Sequence, residues 1–97
     1  MEIRELEFSQ RSLREIDLIA DYIEFKWSLK SKEDFLKLLK KNLDLIESNP
    51  KLFQISNYKN LHRCVVSKQT SIYFMFDDYK IKIVSVFDTR QNPNKLK

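Results

Sequence analysis

The sequence predicts an α+β fold in the order β-α-α-β-β-β, with a helical hairpin packed on one face of a small antiparallel sheet. Three observations predict it. Two stretches of helical periodicity occupy the first half and are joined by about three residues, which makes them an antiparallel pair. After Pro50 come three runs dense in aromatic and β-branched residues, LHRCVV (61–66), SIYFMF (71–76) and KIKIVSVF (80–87). Helices and strands therefore segregate along the chain instead of alternating. Its 97 residues are enough for one modest core, so a single domain over 1–97 is expected.

IRELEF, residues 3–8, reads as a short strand with Ile3, Leu6 and Phe8 as its apolar positions. A helix follows, capped by Ser9 or Ser12; Ser12 and Glu15 have the spacing of a capping box. Leu13, Ile16, Ile19, Ala20, Ile23 and Trp27 recur at helical spacing and form its expected core stripe. The second helix is expected to begin at Ser31, with Glu33 and Asp34 in its first turn, where the helix dipole favours them. Phe35, Leu38, Leu39, Leu43 and Ile46 supply its stripe, and Asn49-Pro50 ends it, because a residue before proline avoids helical geometry.

LFQIS, residues 52–56, is either a short strand or an irregular lead-in. Asp77-Asp78-Tyr79 makes a hairpin turn. The last run alternates cleanly from Lys80 and then becomes apolar on both faces, so its second half is expected to be covered on both sides. Glycine is absent, so turns must use Asn, Asp, Ser and Pro.

Charge divides the chain. Residues 1–48 hold nine Lys/Arg and eleven Asp/Glu, a net −2, whereas 49–97 hold nine and three, a net +6. The strand-rich half is the basic half. With the helices on one face, the other face is expected to be open and cationic, a surface for an acidic or polyanionic partner. No apolar run approaches the ~18 residues of a membrane span, and the N-terminus lacks the apolar stretch of a signal peptide. The one cysteine, Cys64, leaves no internal disulfide or cysteine-rich metal site, which fits a reducing cytoplasm. No cofactor or metal is expected.

The ordered set LREIDLIADYIEFKW, HRCVVSKQTSIYFMF and VSVFDTRQNP resembles the toxins of the RelE/ParE superfamily of type II toxin–antitoxin modules. The resemblance covers nearly the whole chain, and its closest point is the ending: a last strand, then Arg-x-x-Pro. It implies a RelE/ParE-like fold and a growth-inhibiting toxin silenced by a cognate antitoxin. RelE-like members cut mRNA on the ribosome, and ParE-like members poison DNA gyrase.

Cleavage needs a general base, a general acid and cations for the phosphorane charge. The RelE-like pattern carries one basic residue at the start of the central strand and another after the last strand. Here Ser71 occupies the first position and Arg90 the second, with no Tyr or His after Arg90. Only His62 and Arg90 remain as candidate catalytic groups. His62 is the one histidine, a residue type able to serve as base or acid. Cys64 shares its face and reads as a small apolar filler. The ParE-like branch, acting by binding gyrase, is the favoured reading. The alternatives are a RelE-like endoribonuclease acting at the ribosome and a non-toxic relative that keeps antitoxin binding.

Arg63, Lys68, Lys82, Arg90, Asn92 and Lys95 are the expected contacts to target or antitoxin. Whether Arg63 lies on the open face is undecided by sequence. No membrane and no small-molecule substrate is expected, and the complex is either a homodimer or a hetero-oligomer with the antitoxin.

Overall fold

Serines open both helices. Ser9 Oγ accepts from the Ser12 amide at 2.9 Å and donates to the Val84 carbonyl at 2.8 Å, capping a helix and tying its start to the last strand. Ser28 Oγ accepts from the Ser31 amide at 3.0 Å, so the second helix starts at Leu29 and not at Ser31. The computed structural model describes residues 4–90. The order is β1 (Glu5–Phe8), α1 (Gln10–Lys26), α2 (Leu29–Ser48), a 3-10 turn (Pro50–Leu52), β2 (His62–Val65), β3 (Thr70–Phe76) and β4 (Lys80–Asp88).

The sheet order is β1-β4-β3-β2. The pairs β2–β3 and β3–β4 are antiparallel, but β1 runs parallel to β4, with Glu5 opposite Lys80 and Phe8 opposite Ile83. The sheet is therefore mixed, which corrects the purely antiparallel expectation. The helical hairpin carries the chain from β1 to the far edge, and the three-strand meander brings it back beside β1 in the same direction.

Ile19, Ala20 and Ile23 of α1 and Phe35, Leu39 and Ile46 of α2 pack on Cys64, Ile72, Phe74, Ile81, Ile83 and Val86. Each large side chain so buried contributes roughly 1.5–3 kcal/mol. Leu13, Trp27 and Leu38, expected in the stripes, are exposed at 50%, 53% and 39%. At the start of α1 the inward positions are Ser12 and Glu15.

Between Tyr73 and Phe74 the β3–β4 register slips: Phe74 faces Ile83 and Tyr73 faces Ser85, leaving Val84 as the extra residue. The slip re-phases β4. Ile81 and Ile83 face the helices, and beyond the bulge Val86 does so, while Phe87 joins Leu61 and Tyr73 in a second cluster on the opposite face, with Tyr58 and Val84. Hence the second half of β4 is covered on both sides, as its composition implied.

Residues 53–57 contribute one bridge, Ile55 with His62, and no strand. A tight turn follows, closed by the Leu61 amide on the Tyr58 carbonyl at 3.0 Å. Its central residues Lys59 and Asn60 have φ of 53° and 58°. That pair of left-handed residues makes a type I′ turn, which in a glycine-free chain costs roughly 1–2 kcal/mol at Lys59. Among the described residues no helix is long and apolar enough to cross a membrane.

Candidate functional site

Strand register fixes what the sheet face away from the helices carries. Glu5 and Glu7 on β1 lie beside Lys80 and Lys82 on β4; Met75, Tyr73 and Ser71 follow on β3, then Arg63 and Val65 on β2. This face is not uniformly cationic. Lys80 Nζ is 3.0 Å from Glu7 Oε2. Lys82 is exposed and has no ion pair among the described residues. Around these groups lies a hollow of about 420 Å³, lined also by Met75, Phe76 and Asp77.

Nor is this face bare. Its other end is covered by the 56–61 turn, where Tyr58 meets Tyr73 edge-on at 5.0 Å beside Leu61 and Phe87. The expectation of an open, wholly basic side is thus corrected: opposite charges occupy one end and apolar packing the other.

Arg63 falls on this face, opposite Tyr73, which decides the point left open by sequence. Its Nε donates to Ser71 Oγ at 3.2 Å, and it has no carboxylate partner among the described residues. The cation absent at Ser71 in sequence is therefore delivered to Ser71 in space by the neighbouring strand. Two hollows meet at Arg63, one of about 360 Å³ with Ser56, Asn57, Tyr58 and Tyr73, the other of about 560 Å³ running to Leu52, Ile55 and Val65.

Arg90 sits elsewhere. Its Nε and Nη2 donate to the two oxygens of Asp88 at 3.0 and 2.7 Å, and its amide donates to Oδ1 at 2.9 Å. Thr70 Oγ1 adds a fourth bond to Asp88, at 2.6 Å. The Asp88 side chain is 1% exposed and that of Arg90 29%. Burial pushes the Asp88 carboxyl up, but the bonds from Arg90 and Thr70 outweigh it and hold it below its ordinary value. The guanidinium also lies 5.9 Å from the Trp27 ring, which packs edge-on against Tyr22 at 6.1 Å. Arg90 therefore links the end of β4 to the tip of the helical hairpin. It lines a 250 Å³ cleft with Ser31, Phe35, Val66 and Gln69, away from Arg63 and Lys82. Lys68 is exposed in the β2–β3 turn. Asn92 and Lys95 lie outside the described residues.

His62 and Cys64 are tied into the helix side of the sheet. His62 Nδ1 is 2.7 Å from the Phe53 carbonyl oxygen, so the proton resides on that nitrogen. The ring packs on Phe74 at 5.5 Å and Phe76 at 4.8 Å. Cys64 Sγ faces Asn42 Oδ1 at 3.5 Å, and burial pushes the thiol up to about 11. Neither lies beside Arg90 or Arg63 in a way that joins base, acid and cation on one atom.

Sequence reasoning missed Glu15. Its side chain is 3% exposed. Oε1 accepts from Ser85 Oγ at 2.9 Å and from the Val86 amide at 3.0 Å, and Oε2 accepts from Arg11 Nε at 3.2 Å. β1 ends opposite Ile83, so β4 runs on without a strand on that side. Glu15 supplies the acceptor that a strand would have supplied. The signal was its place at helical spacing with Ser12, Ile19 and Ile23, a stripe that runs beside the one through Leu13.

The family described as "ParE toxin of type II toxin-antitoxin system, parDE" matches residues 6–93. Among solved structures, the chain is similar to the toxin–antitoxin structure "Chromosomal ParDE TA system from P. aeruginosa", with a TM-score of 0.78 and 10% identity over 89% of this chain and 96% of that one. It is also similar to the E. coli DinJ-YafQ toxin-antitoxin complex, with a TM-score of 0.61 and 11% identity over 92% and 96%. A free-state mutant of the E. coli toxin RelE gives 0.56 and 16% identity over 94% and 88%. At these identities the likeness is one of fold. No curated protein matches the sequence.

Proposed function

The chain belongs to the family of ParE toxins of type II toxin–antitoxin systems, and we propose that it arrests growth by binding DNA gyrase and that a cognate antitoxin holds it silent. The observation that carries this reading is the family match itself, which runs from the second residue of β1 past the end of β4. The geometry is consistent with action by binding. His62, Cys64 and Arg90 are each committed to packing or to an internal ion pair. Arg63, Lys68 and Lys82 keep exposed cationic heads without carboxylate partners among the described residues. We assign them to contacts with the target or the antitoxin, and Arg90 to holding the closing segment in place. A gyrase target places this work in the cytoplasm.

Expression alone should stop growth, and co-expression of the neighbouring gene should restore it. Purified protein should inhibit gyrase supercoiling while mRNA on ribosomes stays intact. Soluble expression without a growth defect would exclude a toxin, and cleavage of ribosome-bound mRNA without an effect on gyrase would transfer the protein to the nuclease class.

A further inference from the structure

We infer that the hollow between Arg63 and the Tyr58–Tyr73 pair binds one nucleotide unit, with the phosphate on Arg63 and Lys59 and the base against the tyrosine wall. The inference does not depend on the gyrase reading: it concerns a different ligand, and of the residues assigned to target or antitoxin contact it uses only Arg63.

Arg63 is held by Ser71 through Nε alone, which leaves both terminal nitrogens for a ligand and fixes the plane of the fork. No acidic residue lines this hollow, whose walls are Ser56, Asn57, Tyr58, Arg63 and Tyr73. At about 360 Å³ it lies within the size range of small-ligand sites. A second cation flanks the hollow without lining it: in the type I′ turn, Lys59 Nζ lies 5.4 Å from the ring of the lining residue Tyr58. Two successive left-handed non-glycine residues form that turn, and strain of this kind concentrates where the chain must present particular groups. Half-buried Tyr58 gives the hollow an aromatic side beside its cationic one, and Tyr73, 5% exposed, backs it edge-on. A bare anion would use only the cations, whereas a nucleotide uses both sides.

Ligand binding stops short of cleavage. The one histidine is held on the other face of the sheet by the Phe53 carbonyl, and no group of its kind lines the hollow.

Calorimetric titration of the full chain tests the assignment with three probes: AMP, inorganic phosphate and a 5′-phosphorylated dinucleotide. AMP should bind about tenfold or more tightly than phosphate, since the base adds its own contact. Arg63→Gln should weaken AMP about tenfold or more. Lys40→Gln removes the same charge from the exposed outer side of α2 and should leave AMP binding unchanged. Lys59→Gln gives a second test at an exposed position should Arg63→Gln disturb the fold, and it should weaken binding too. The dinucleotide separates the two sources of the ligand: tighter binding than AMP means a strand end, and equal or weaker binding means a free nucleotide. AMP no tighter than phosphate, or indifference to both Arg63→Gln and Lys59→Gln, overturns the inference.

Discussion

Removing the Glu15 carboxylate should destabilise this protein by a large share of its folding free energy. Glu15→Ala strips the acceptor from the Ser85 hydroxyl and from the Val86 amide, both buried. Leaving a buried donor unpaired costs about 1–3 kcal/mol each. The hydroxyl can rotate to another acceptor; the amide cannot. Breaking a fully buried ion pair would add several kcal/mol more. Here, however, the Arg11 side chain is 37% exposed, so its charge regains water and that part is small. The sum is about 2–4 kcal/mol, a large share of the ~5–15 kcal/mol typical of a whole domain.

Glu15→Gln separates the two roles. Its carbonyl oxygen can still accept from Ser85 and Val86, while its amide faces Arg11 donor to donor. It should cost only about 0.5–1.5 kcal/mol. Urea unfolding followed by far-UV circular dichroism gives both values, and hydrogen exchange gives a local one: the Val86 amide should exchange far faster in Glu15→Ala than in Glu15→Gln. A loss below 1 kcal/mol for Glu15→Ala, or equal losses in both variants, would refute the claim that this carboxylate replaces a missing strand.

Asp88 has its carboxyl held below the ordinary range, so its stabilising contribution is complete above about pH 4 and is lost as pH falls through the lower folded value. Urea midpoints measured from pH 6 to pH 2 should therefore fall at the acid end, and that fall should be smaller in Arg90→Ala, where Asp88 loses the partner that depresses it. With its thiol pushed up to about 11, Cys64 should react with a thiol reagent at pH 8 roughly 100-fold or more slowly in the native protein than in urea, from its lower thiolate fraction and burial. Ser28→Ala should cost about 1 kcal/mol in urea unfolding through loss of the α2 cap. Ser31→Ala should cost less, since its hydroxyl meets only that of Ser28 at an exposed site; the reverse order would put the cap at Ser31.

What the sequence made legible follows from which signals are periodic. The two helices and three later strands declare themselves through apolar spacing, and Asn49-Pro50 marks the end of α2 through backbone sterics. Misreadings occurred where a polar group does a packing job or an apolar group stands outside the core. Leu13 and Trp27 joined the expected stripe by hydrophobicity, yet Trp27 stands past the end of α1 at its C-cap, and at the start of the helix the inward places go to Ser12 and Glu15 instead of Leu13, because α1 there meets backbone and not apolar surface. Ser28 and Ser31 are equally good caps by composition, and only geometry chooses the first. The parallel pairing of β1 was hidden because four residues carry no mark of strand direction. Arg63 was singled out in sequence without its partner: Ser71 is a diagonal neighbour on the next strand, which residue order does not reveal.

One extra residue in β4 accounts for most of the difference between the expected face and the observed one. With strict alternation from Ile81 and Ile83, Ser85 and Phe87 would turn toward the helices and Val86 away from them. The bulge at Val84 reverses this assignment for the end of the strand. Val86 enters the main core, Phe87 emerges beside Tyr73, and the 56–61 turn closes over them with Tyr58 and Leu61. The same slip frees the Val86 amide to meet Glu15. So the apolar lid that shortens the open face, the tyrosine wall beside Arg63 and the buried carboxylate all depend on a phase change that a count of apolar residues registers only as a strand covered on both sides.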